Sequence, residues 1–343
     1  MKAMVISGIS NLKGVSNPLK LSDCPIPIPN RNQVLIKIGA CAVCHTELDE
    51  IEGRTPPPKY PIIPGHQVVG EVIEAGENVT RHEVGDRVGV AWIFSSCGNC
   101  SFCQKGNDNL CPEFKATGRD ASGGYAEYMI VHEDYSYKIP ETYTDVQAAP
   151  LLCAGVIGYR SLKLTNIKDG MNLGLTGFGA SAHIVLKLVK YVYPNSSVFV
   201  FARSSNEREF AKELGAEWAG ETEERSPVLL DAIIDTTPVW KPVVEALSNL
   251  NSGGRLVINA IRKEDTDKEY LLNMDYTKHL WNEKEIKSVA NVSRKDVQEF
   301  LQLAPKVPIY PEVSEYELIQ ANKALIELKE SKIRGAKVLV INR

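Results

Sequence analysis

The segment MNLGLTGFGASAHIVLKLVKYV, residues 171–192, decides the fold class of this chain. Its first part, residues 171–177, is largely apolar and predicts a strand, and residues 180–192 have the apolar spacing of a helix. Between them, residues 177–182 read GFGASA and match the fingerprint G-x-G-x-x-A, in which glycines allow a tight turn and a close backbone approach to a pyrophosphate. The segment therefore predicts a strand–turn–helix unit that binds a dinucleotide. The alternative is a tight turn without a ligand.

Strand-like and helix-like runs continue to alternate on the C-terminal side of this segment. Such alternation predicts an α/β fold, with a parallel sheet and helices on both of its faces. Residues 1 to about 155 instead contain short strand-like runs broken by Gly and Pro, which predict an irregular β domain. The later runs predict strands at 196–202, 231–237, 254–261, 286–292 and 336–342, and helices at 206–215 and about 314–329.

The end of the second strand of this region selects between nicotinamide cofactors. A site for NAD has Asp or Glu about 20 residues after the glycines, where it binds the ribose 2′-hydroxyl. The corresponding place holds Ala202, followed by Arg203 and Ser204, which leaves room for a 2′-phosphate that Arg203 can bind. We therefore expect NADP(H) rather than NAD(H), unless Arg203 only stacks on the adenine or faces solvent. The candidate cofactor-binding residues are Gly177, Phe178, Gly179, Ala180, Ala202, Arg203 and Ser204.

Size and composition argue against several classes of protein. The 343 residues suffice for two domains with substantial cores. The net charge of −4, with no block of Lys or Arg, disfavours nucleic-acid binding. No apolar run reaches the about 18 residues of a membrane span, and the N-terminal residues lack the apolar core of a signal peptide. We expect a cytoplasmic protein without a membrane or nucleic-acid partner.

Four of the eight cysteines lie close together, with the spacing C-x2-C-x2-C-x7-C. In a reducing compartment such spacing indicates a metal site, and four thiolates suit tetrahedral, structural zinc. An iron–sulfur cluster is one alternative, although its usual spacing ends in x3 rather than x7. Four unlinked thiols are the other alternative. The cluster consists of Cys97, Cys100, Cys103 and Cys111.

Cys44, His66 and Cys153 are a second candidate set of metal ligands. Taken singly, each residue is more often structural than a ligand. Together they supply the three sulfur and nitrogen donors of a catalytic zinc site, which keeps its fourth position open. Thr46 follows Cys44 by two residues and offers a hydroxyl next to that position.

These motifs resemble those of the zinc-dependent alcohol dehydrogenases of the medium-chain dehydrogenase/reductase superfamily, over essentially the whole chain. The resemblance implies a GroES-like, β-rich catalytic domain at residues 1–155 and 295–343. It also implies a Rossmann domain with a doubly wound parallel sheet at residues 156–294, and an active-site cleft between the two domains. The motifs are CHTEL (44–48), GHQVVGEV (65–72), VGDRVGV (84–90), the four-cysteine segment (97–111), GGYAEY (123–128), LLCAG (151–155), GFGASA (177–182) and KELGA (212–216).

The resemblance implies roles for individual residues. Cys44, His66 and Cys153 match the ligands of the family's catalytic zinc, and the four-cysteine segment matches its structural zinc lobe, so two zinc ions per chain are expected. Thr46 is expected to hydrogen-bond the substrate oxygen and to begin a proton path. His45 is expected to face the cofactor pyrophosphate or to assist that path, unless it is a plain surface residue.

The activity implied is hydride transfer between the nicotinamide cofactor and a small alcohol or aldehyde, in a homo-oligomer that is a dimer or tetramer. Trp92 and Ile93 are expected to line the substrate pocket and to favour apolar alcohols, although Trp92 as ordinary core is the alternative. Two rival functions remain open, namely a polyol or sugar dehydrogenase of the same superfamily and a non-catalytic, zinc-stabilised nucleotide sensor.

Three positions depart from the family pattern. Relatives commonly have His at the place of Asp49, so the end of the proton path is open, and Thr at the place of Ile157. The Glu that usually follows the ligand histidine is Gln67 here. Its amide oxygen can act as a transient ligand but carries no charge, and our hypothesis is that the metal is therefore more Lewis acidic.

Overall fold

The structure is a computed structural model, and it describes residues 1–15, 17–330 and 335–342. The chain forms two compact units. The first comprises Met1–Cys153, Val292–Pro305 and Tyr310–Arg343, and the second comprises Ala154–Asn291 and Lys306–Ile309.

Strands dominate the first unit, whereas strands and helices alternate in the second. The strands are β1 (Lys2–Ile6), β2 (Leu19–Asp23), β3 (Gln33–Val43), β4 (Val68–Ala75), β5 (Arg87–Val90), β6 (Ile93–Ser95), β7 (Lys115–Ala116), β8 (Tyr128–His132), β9 (Ser136–Lys138), β10 (Leu173–Thr176), β11 (Val198–Phe201), β12 (Trp218–Gly220), β13 (Leu230–Asp235), β14 (Leu250–Ile258), β15 (Glu285–Ser288), β16 (Val313–Glu317) and β17 (Ala336–Val340). The helices are α1 (His45–Ile51), α2 (Ser101–Gln104), α3 (Asp145–Pro150), α4 (Val156–Thr165), α5 (Ala180–Val192), α6 (Ser205–Glu213), α7 (Lys241–Leu247), α8 (Tyr276–His279), α9 (Arg294–Leu303) and α10 (Ala321–Lys329).

The main sheet of the first unit has the strand order β16-β17-β3-β4-β5-β9, and β8 also pairs with β3. Its pairs are antiparallel except for β16 and β17, which run parallel. Buried apolar side chains of β3 and β4, such as Ile36, Ile38 and Val72, pack into one core. Each such side chain contributes about 1.5–3 kcal/mol by burial. The sheet thus gives the loops that carry Cys44 and His66 a fixed support.

The second unit contains a parallel sheet with the order β12-β11-β10-β13-β14-β15. Counted along the chain this is 3-2-1-4-5-6, the order of dinucleotide-binding sheets. Phe199, Ile233 and Leu247 lie in its core. The predicted parallel sheet is therefore confirmed, and the GFGASA segment connects its central strand β10 to α5.

The predicted helix at about 314–329 is wrong in its first half. Residues Val313–Glu317 form β16, a 3-10 turn covers Leu318–Gln320, and the helix α10 begins only at Ala321. The reason is non-local, because β16 pairs along its whole length with β17 and gains a ladder of backbone hydrogen bonds there. Helical spacing in the sequence does not reveal such a partner.

Within residues 1–15, 17–330 and 335–342, no helix has the length and apolarity needed to cross a bilayer.

Candidate functional site

The first unit brings Cys44, His66 and Cys153 together. One ligand atom from each residue lies within 4.8 Å of the other two. Cys44 is the single residue between β3 and α1, and His66 lies two residues before the start of β4. Two thiols and an imidazole at this separation are a donor set that suits zinc.

His66 is oriented by Glu47. The Nδ1 atom of His66 lies 2.7 Å from Oε1 of Glu47, and Oε2 of Glu47 accepts a hydrogen bond of 2.8 Å from the backbone N–H of Cys44. A carboxylate only accepts, so Nδ1–H donates to Glu47, and Nε2 is the ring nitrogen left for a metal. Glu47 was not singled out in the sequence, although its position three residues after Cys44 was available.

The approach to His66 depends on Gly65. Its φ is +99°, and a Cβ there would lie 2.4 Å from the Tyr125 ring. A residue with a side chain would both strain the backbone and displace the buried Tyr125. Gly65 therefore allows the chain to pass close to Tyr125 and to turn His66 inward.

Cys153 lies on a π-helical turn, Leu151–Gly155, that directly follows α3. Pro150 ends α3 and cannot donate a backbone hydrogen bond. Wider turns of this type insert one residue into the helical register and often occur at functional sites. The sequence-based reading did not predict this turn.

The pKa shifts at this site indicate an environment that favours a bound cation. The hydrogen bond with Cys153, together with His66, holds the pKa of Cys44 well below its usual range, although burial opposes the shift. Burial lowers the pKa of His66, but Glu47 and Cys44 outweigh it and raise that pKa well above the usual range. A buried thiolate and carboxylate thus draw a positive charge to the imidazole. Zinc bound to Nε2 would supply that positive charge in place of a proton.

The other expected residues of this site take different places. The Thr46 hydroxyl lies 3.6 Å from Cys44 Sγ and is buried, whereas His45 begins α1 and is exposed. Gln67 is buried directly after His66. The Trp92 ring meets the His66 ring edge-on, with centroids 5.1 Å apart.

Ile93 and Asp49 complete the set of expected residues. Ile93 is buried beside Trp92 in the sequence and begins β6. Asp49 is buried and accepts a hydrogen bond of 2.5 Å from Nε of Arg54. Arg54 also donates to Glu52 over 2.5 Å. Where relatives commonly have His, this chain thus has a carboxylate tied to a guanidinium.

The four-cysteine segment folds into a single cluster. All four Sγ atoms lie within 4.8 Å of one another, with separations of 3.9 Å for Cys97–Cys103, 3.6 Å for Cys100–Cys103 and 3.5 Å for Cys111–Cys97. A zinc–sulfur bond of about 2.3 Å in a tetrahedron requires sulfurs about 3.8 Å apart. The separations fit one metal ion rather than a larger iron–sulfur cluster, and they are too long for disulfides.

The glycine loop of the second unit, residues 177–179, has open space next to Gly179. Gly177 has a φ of +75°, and a Cβ there would meet Thr236 at 2.9 Å. A Cβ on Gly179 would meet no atom within 4 Å. Phe178 is buried edge-on against Phe210, and Ala180 begins α5. Backbone can thus be approached at Gly179, next to the N-terminus of a 13-residue helix.

The loop after β11 carries Arg203, and a second arginine, Arg208, reaches it from α6. Ala202 is buried, and Arg203 and Ser204 are exposed. The guanidinium of Arg208, which the sequence-based reading did not include, donates to the carbonyl oxygens of Ala202 at 2.8 Å and of Arg203 at 3.0 Å. It also lies 3.4 Å from a carboxylate oxygen of Glu221. Arg208 therefore braces this loop from α6.

Comparisons with known proteins place the chain in a family. The model of the alcohol dehydrogenase GroES-like domain matches residues 30–141. The chain is 40% identical over 331 residues to a probable alcohol dehydrogenase, AdhA, of Mycobacterium tuberculosis, covering 95% of this chain and 94% of that protein. It is 34% identical over 348 residues to an alcohol dehydrogenase of Geobacillus stearothermophilus, covering 99% and 98%.

Among solved structures, a cinnamyl alcohol dehydrogenase of Sorghum bicolor, SbCAD4, superposes with a TM-score of 0.83 at 25% identity, covering 99% of this chain and 97% of that one. The expected combination of a GroES-like domain with a Rossmann-type sheet is confirmed. The chain therefore belongs to the zinc-dependent alcohol dehydrogenases of the medium-chain dehydrogenase/reductase superfamily, and it is an oxidoreductase that acts on alcohols.

Proposed function

We propose that this protein transfers a hydride between NADP(H) and an apolar alcohol or aldehyde, with one catalytic and one structural zinc ion per chain. The observation that carries the proposal is the meeting of Cys44, His66 and Cys153 within 4.8 Å. Two thiols that lose their protons on metal binding and one imidazole fit a dication and leave one position for substrate. Cys97, Cys100, Cys103 and Cys111 would hold the second ion, with no open position.

The residues around the first site have separable tasks. Bound zinc would act as a Lewis acid on the oxygen of the substrate. Glu47 holds the His66 ring through Nδ1, which leaves Nε2 for the metal, and Thr46 offers a buried hydroxyl that can accept a proton from the alcohol and pass it on. His45 is exposed at the start of α1 and would continue that path or contact the cofactor phosphates.

The end of the proton path differs from that of relatives in this proposal. Asp49 accepts a hydrogen bond of 2.5 Å from Nε of Arg54, so its carboxylate is already held by a guanidinium. We therefore propose that the proton leaves through His45 or through water. Gln67 remains a candidate transient ligand through its amide oxygen, buried next to His66.

The preference for NADP(H) rests on the loop after β11. Gly177, Phe178, Gly179 and Ala180 would receive the pyrophosphate, and Ala202, Arg203 and Ser204 would surround the 2′-phosphate. The side chain of Arg203 is exposed, so its guanidinium can reach a phosphate. Arg208 holds the backbone carbonyl of Arg203 and thereby fixes the main chain at this position. No carboxylate stands at the place of Ala202 to bind a 2′-hydroxyl.

Trp92 favours apolar alcohols over polyols in this proposal. Its indole lies edge-on to His66, so an apolar surface borders the candidate metal position. Trp92 and Ile93 would line the substrate site. A polyol or sugar dehydrogenase is the second candidate, and it would need polar groups at this place.

We further propose a homo-oligomer. The edge strand β15 ends the sheet of the second unit, and each of its residues is exposed. Exposed apolar residues, Ile286 at 41% and Trp281 at 54%, lie on or near this edge. An open edge of this kind is a ready surface for a second copy.

Steady-state assays with NADP and with NAD, each on a panel of alcohols, test the proposal. We expect turnover of primary apolar and aromatic alcohols, with a lower KM for NADP. Turnover of sorbitol alone would support the polyol candidate, and no turnover with two zinc ions bound would support a non-catalytic sensor.

A further inference from the structure

A row of hydrogen-bonded side chains leads to one sulfur of the four-cysteine site. The Oγ atom of Ser96 lies 3.2 Å from Sγ of Cys103. The hydroxyl of Tyr135 lies 2.6 Å from the same Oγ atom. Cys103 and Tyr135 are both buried, at 6% and 4% exposure. Two hydroxyl groups are thus arranged in series behind one thiol, with Ser96 itself half-buried.

The far end of this row is fixed by Arg294, the first residue of α9. Its guanidinium lies over the Tyr135 ring, 5.2 Å from the centroid. Asp108 and Asp134 pair with that guanidinium at 3.3 Å and 3.1 Å. Asp108 lies within the four-cysteine segment itself, and it also accepts the backbone N–H of Arg294 at 3.2 Å. The cation is therefore anchored to the same loop that presents the thiols.

A metal at the four cysteines leaves only one direction for these hydrogen bonds. A thiolate has no proton, so Ser96 must donate to Cys103. Ser96 has a single proton, so the phenol of Tyr135 must donate to Ser96. Burial raises the pKa of Tyr135, although Ser96 and Arg294 oppose the shift, and the phenol therefore keeps the proton that it must donate.

The other sulfurs have different surroundings. The backbone amides of Asn99 and Cys100 donate hydrogen bonds to the sulfur of Cys97. The sulfur of Cys111 accepts a long contact of 3.5 Å from the backbone N–H of Cys97 and a backbone hydrogen bond from Glu113. Backbone amides thus donate to the sulfur of Cys97, whereas the hydroxyl group of a side chain, Ser96, donates to the sulfur of Cys103. A substitution can remove a hydroxyl donor without changing the main chain, whereas it cannot remove a backbone amide.

We propose that Ser96 and Tyr135 are positioning residues that stabilise the Cys103 thiolate and thereby strengthen metal binding at the four-cysteine site. The inference rests on the proposed function, in which this site holds zinc. Ser96 acts directly on the sulfur. Tyr135 acts through Ser96, because a donor to the hydroxyl oxygen polarises the O–H bond and strengthens the hydrogen bond that follows. Hydrogen-bond partners behind a ligand change metal affinity by about 10- to 100-fold.

Zinc competition with a chromophoric chelator tests the proposal on the full-length chain. A Cys44→Ser background removes one donor of the other site and makes the four-cysteine site the dominant metal site. We expect Ser96→Ala to weaken zinc binding by about 10- to 100-fold. Tyr135→Phe should weaken it less, in the same direction. Ser96→Thr keeps the hydroxyl and should bind nearly as tightly as the parent chain. Ser101→Ala truncates an exposed serine at the start of α2, within the same four-cysteine segment, and should change nothing.

A second readout separates the hydrogen bond from a general loosening of the loop. In the chain loaded with cadmium-113 and with Cys44 intact, the four-thiolate and the two-thiolate sites give separate resonances, because the chemical shift grows with the number and charge of sulfur ligands. We expect Ser96→Ala to move the four-thiolate line and leave the other line in place. Unaltered zinc affinity and an unaltered line in Ser96→Ala would overturn the proposal. If that variant does not fold, the comparison of Tyr135→Phe with Ser96→Thr decides in the same way.

The two proposals fail in distinguishable ways. A wild-type chain without metal at the four cysteines overturns both the structural zinc and this inference. A wild-type chain that holds zinc there, with the same affinity in Ser96→Ala, overturns this inference alone.

Discussion

The imidazole of His66 and the carboxylate of Glu47 are joined by a buried contact of 2.7 Å between Nδ1 and Oε1. Both side chains are nearly inaccessible to water, at 1% and 0% exposure. Glu47 also accepts the backbone N–H of Cys44. One carboxylate thus fixes the ring of one donor residue and the backbone of another.

Replacing Glu47 by Gln should weaken zinc binding at Cys44, His66 and Cys153. The amide can keep one hydrogen bond to Nδ1, but its charge is lost and one oxygen no longer accepts from Cys44. We expect zinc affinity and kcat/KM to fall by about 10- to 100-fold. Zinc content after dialysis and steady-state kinetics measure the change, with Glu47→Asp as the variant that keeps the charge. Full activity and zinc content in Glu47→Gln would contradict this role.

Arg203→Ala should raise the KM for NADP and leave that for NAD nearly unchanged. A charge-assisted contact with the 2′-phosphate is worth about 1.5–3 kcal/mol, or about 10- to 150-fold. Lys212→Ala, an exposed site on α6, serves as the control. Arg208→Ala removes the brace of the loop and should affect both cofactors. Equal losses for NADP and NAD in Arg203→Ala would show that Arg203 does not read the phosphate.

Gln67→Glu should move the pH–rate profile to higher pH. The new carboxylate adds a negative charge beside His66, which makes proton loss from the alcohol less favourable. A shift on the order of one pH unit corresponds to about 1.4 kcal/mol of charge interaction. The profile of kcat against pH measures it, and the equally neutral Gln67→Met should keep the position of the parent profile. No shift in Gln67→Glu would refute the idea that the neutral side chain tunes this site.

Chelation should separate the two zinc ions in time. The three-donor site has an open position, whereas four thiolates enclose the other ion. Activity should therefore disappear first, with one zinc ion lost and the thermal midpoint nearly unchanged. Loss of the second ion should lower the midpoint, because the segment around Cys97 and Cys111 has little regular structure of its own. A midpoint that falls in step with activity would contradict the assignment of the two sites.

The fold could be predicted from the sequence where its signals are local. The bounds expected for the helix after the GFGASA segment, 180–192, are those observed for α5. The strand predicted within residues 171–177 is observed as β10, Leu173–Thr176. The start of the last helix could not be predicted, because β16 exists through its pairing with β17.

Less of the candidate site than of the fold could be predicted from the sequence alone. The proximity of Cys44, His66 and Cys153 was expected only from the resemblance to a family, since more than a hundred positions separate the first from the last. The π-helical turn at Cys153 has no signature in side-chain spacing. The role of Arg208 depends on its contact with the loop that carries Arg203, and the role of Glu47 depends on its contact with His66. Sequence periodicity encodes neither contact, so neither role was predicted.

The zinc content and activity of Cys44→Ser test the central claim most directly. Serine keeps the size of the side chain but replaces a thiolate that the site holds at low pKa. We predict that the variant folds with the thermal midpoint of the parent chain, binds one zinc ion fewer and has no measurable turnover of any alcohol with NADP or NAD. Turnover near that of the parent chain, or an undiminished zinc content, would contradict the account.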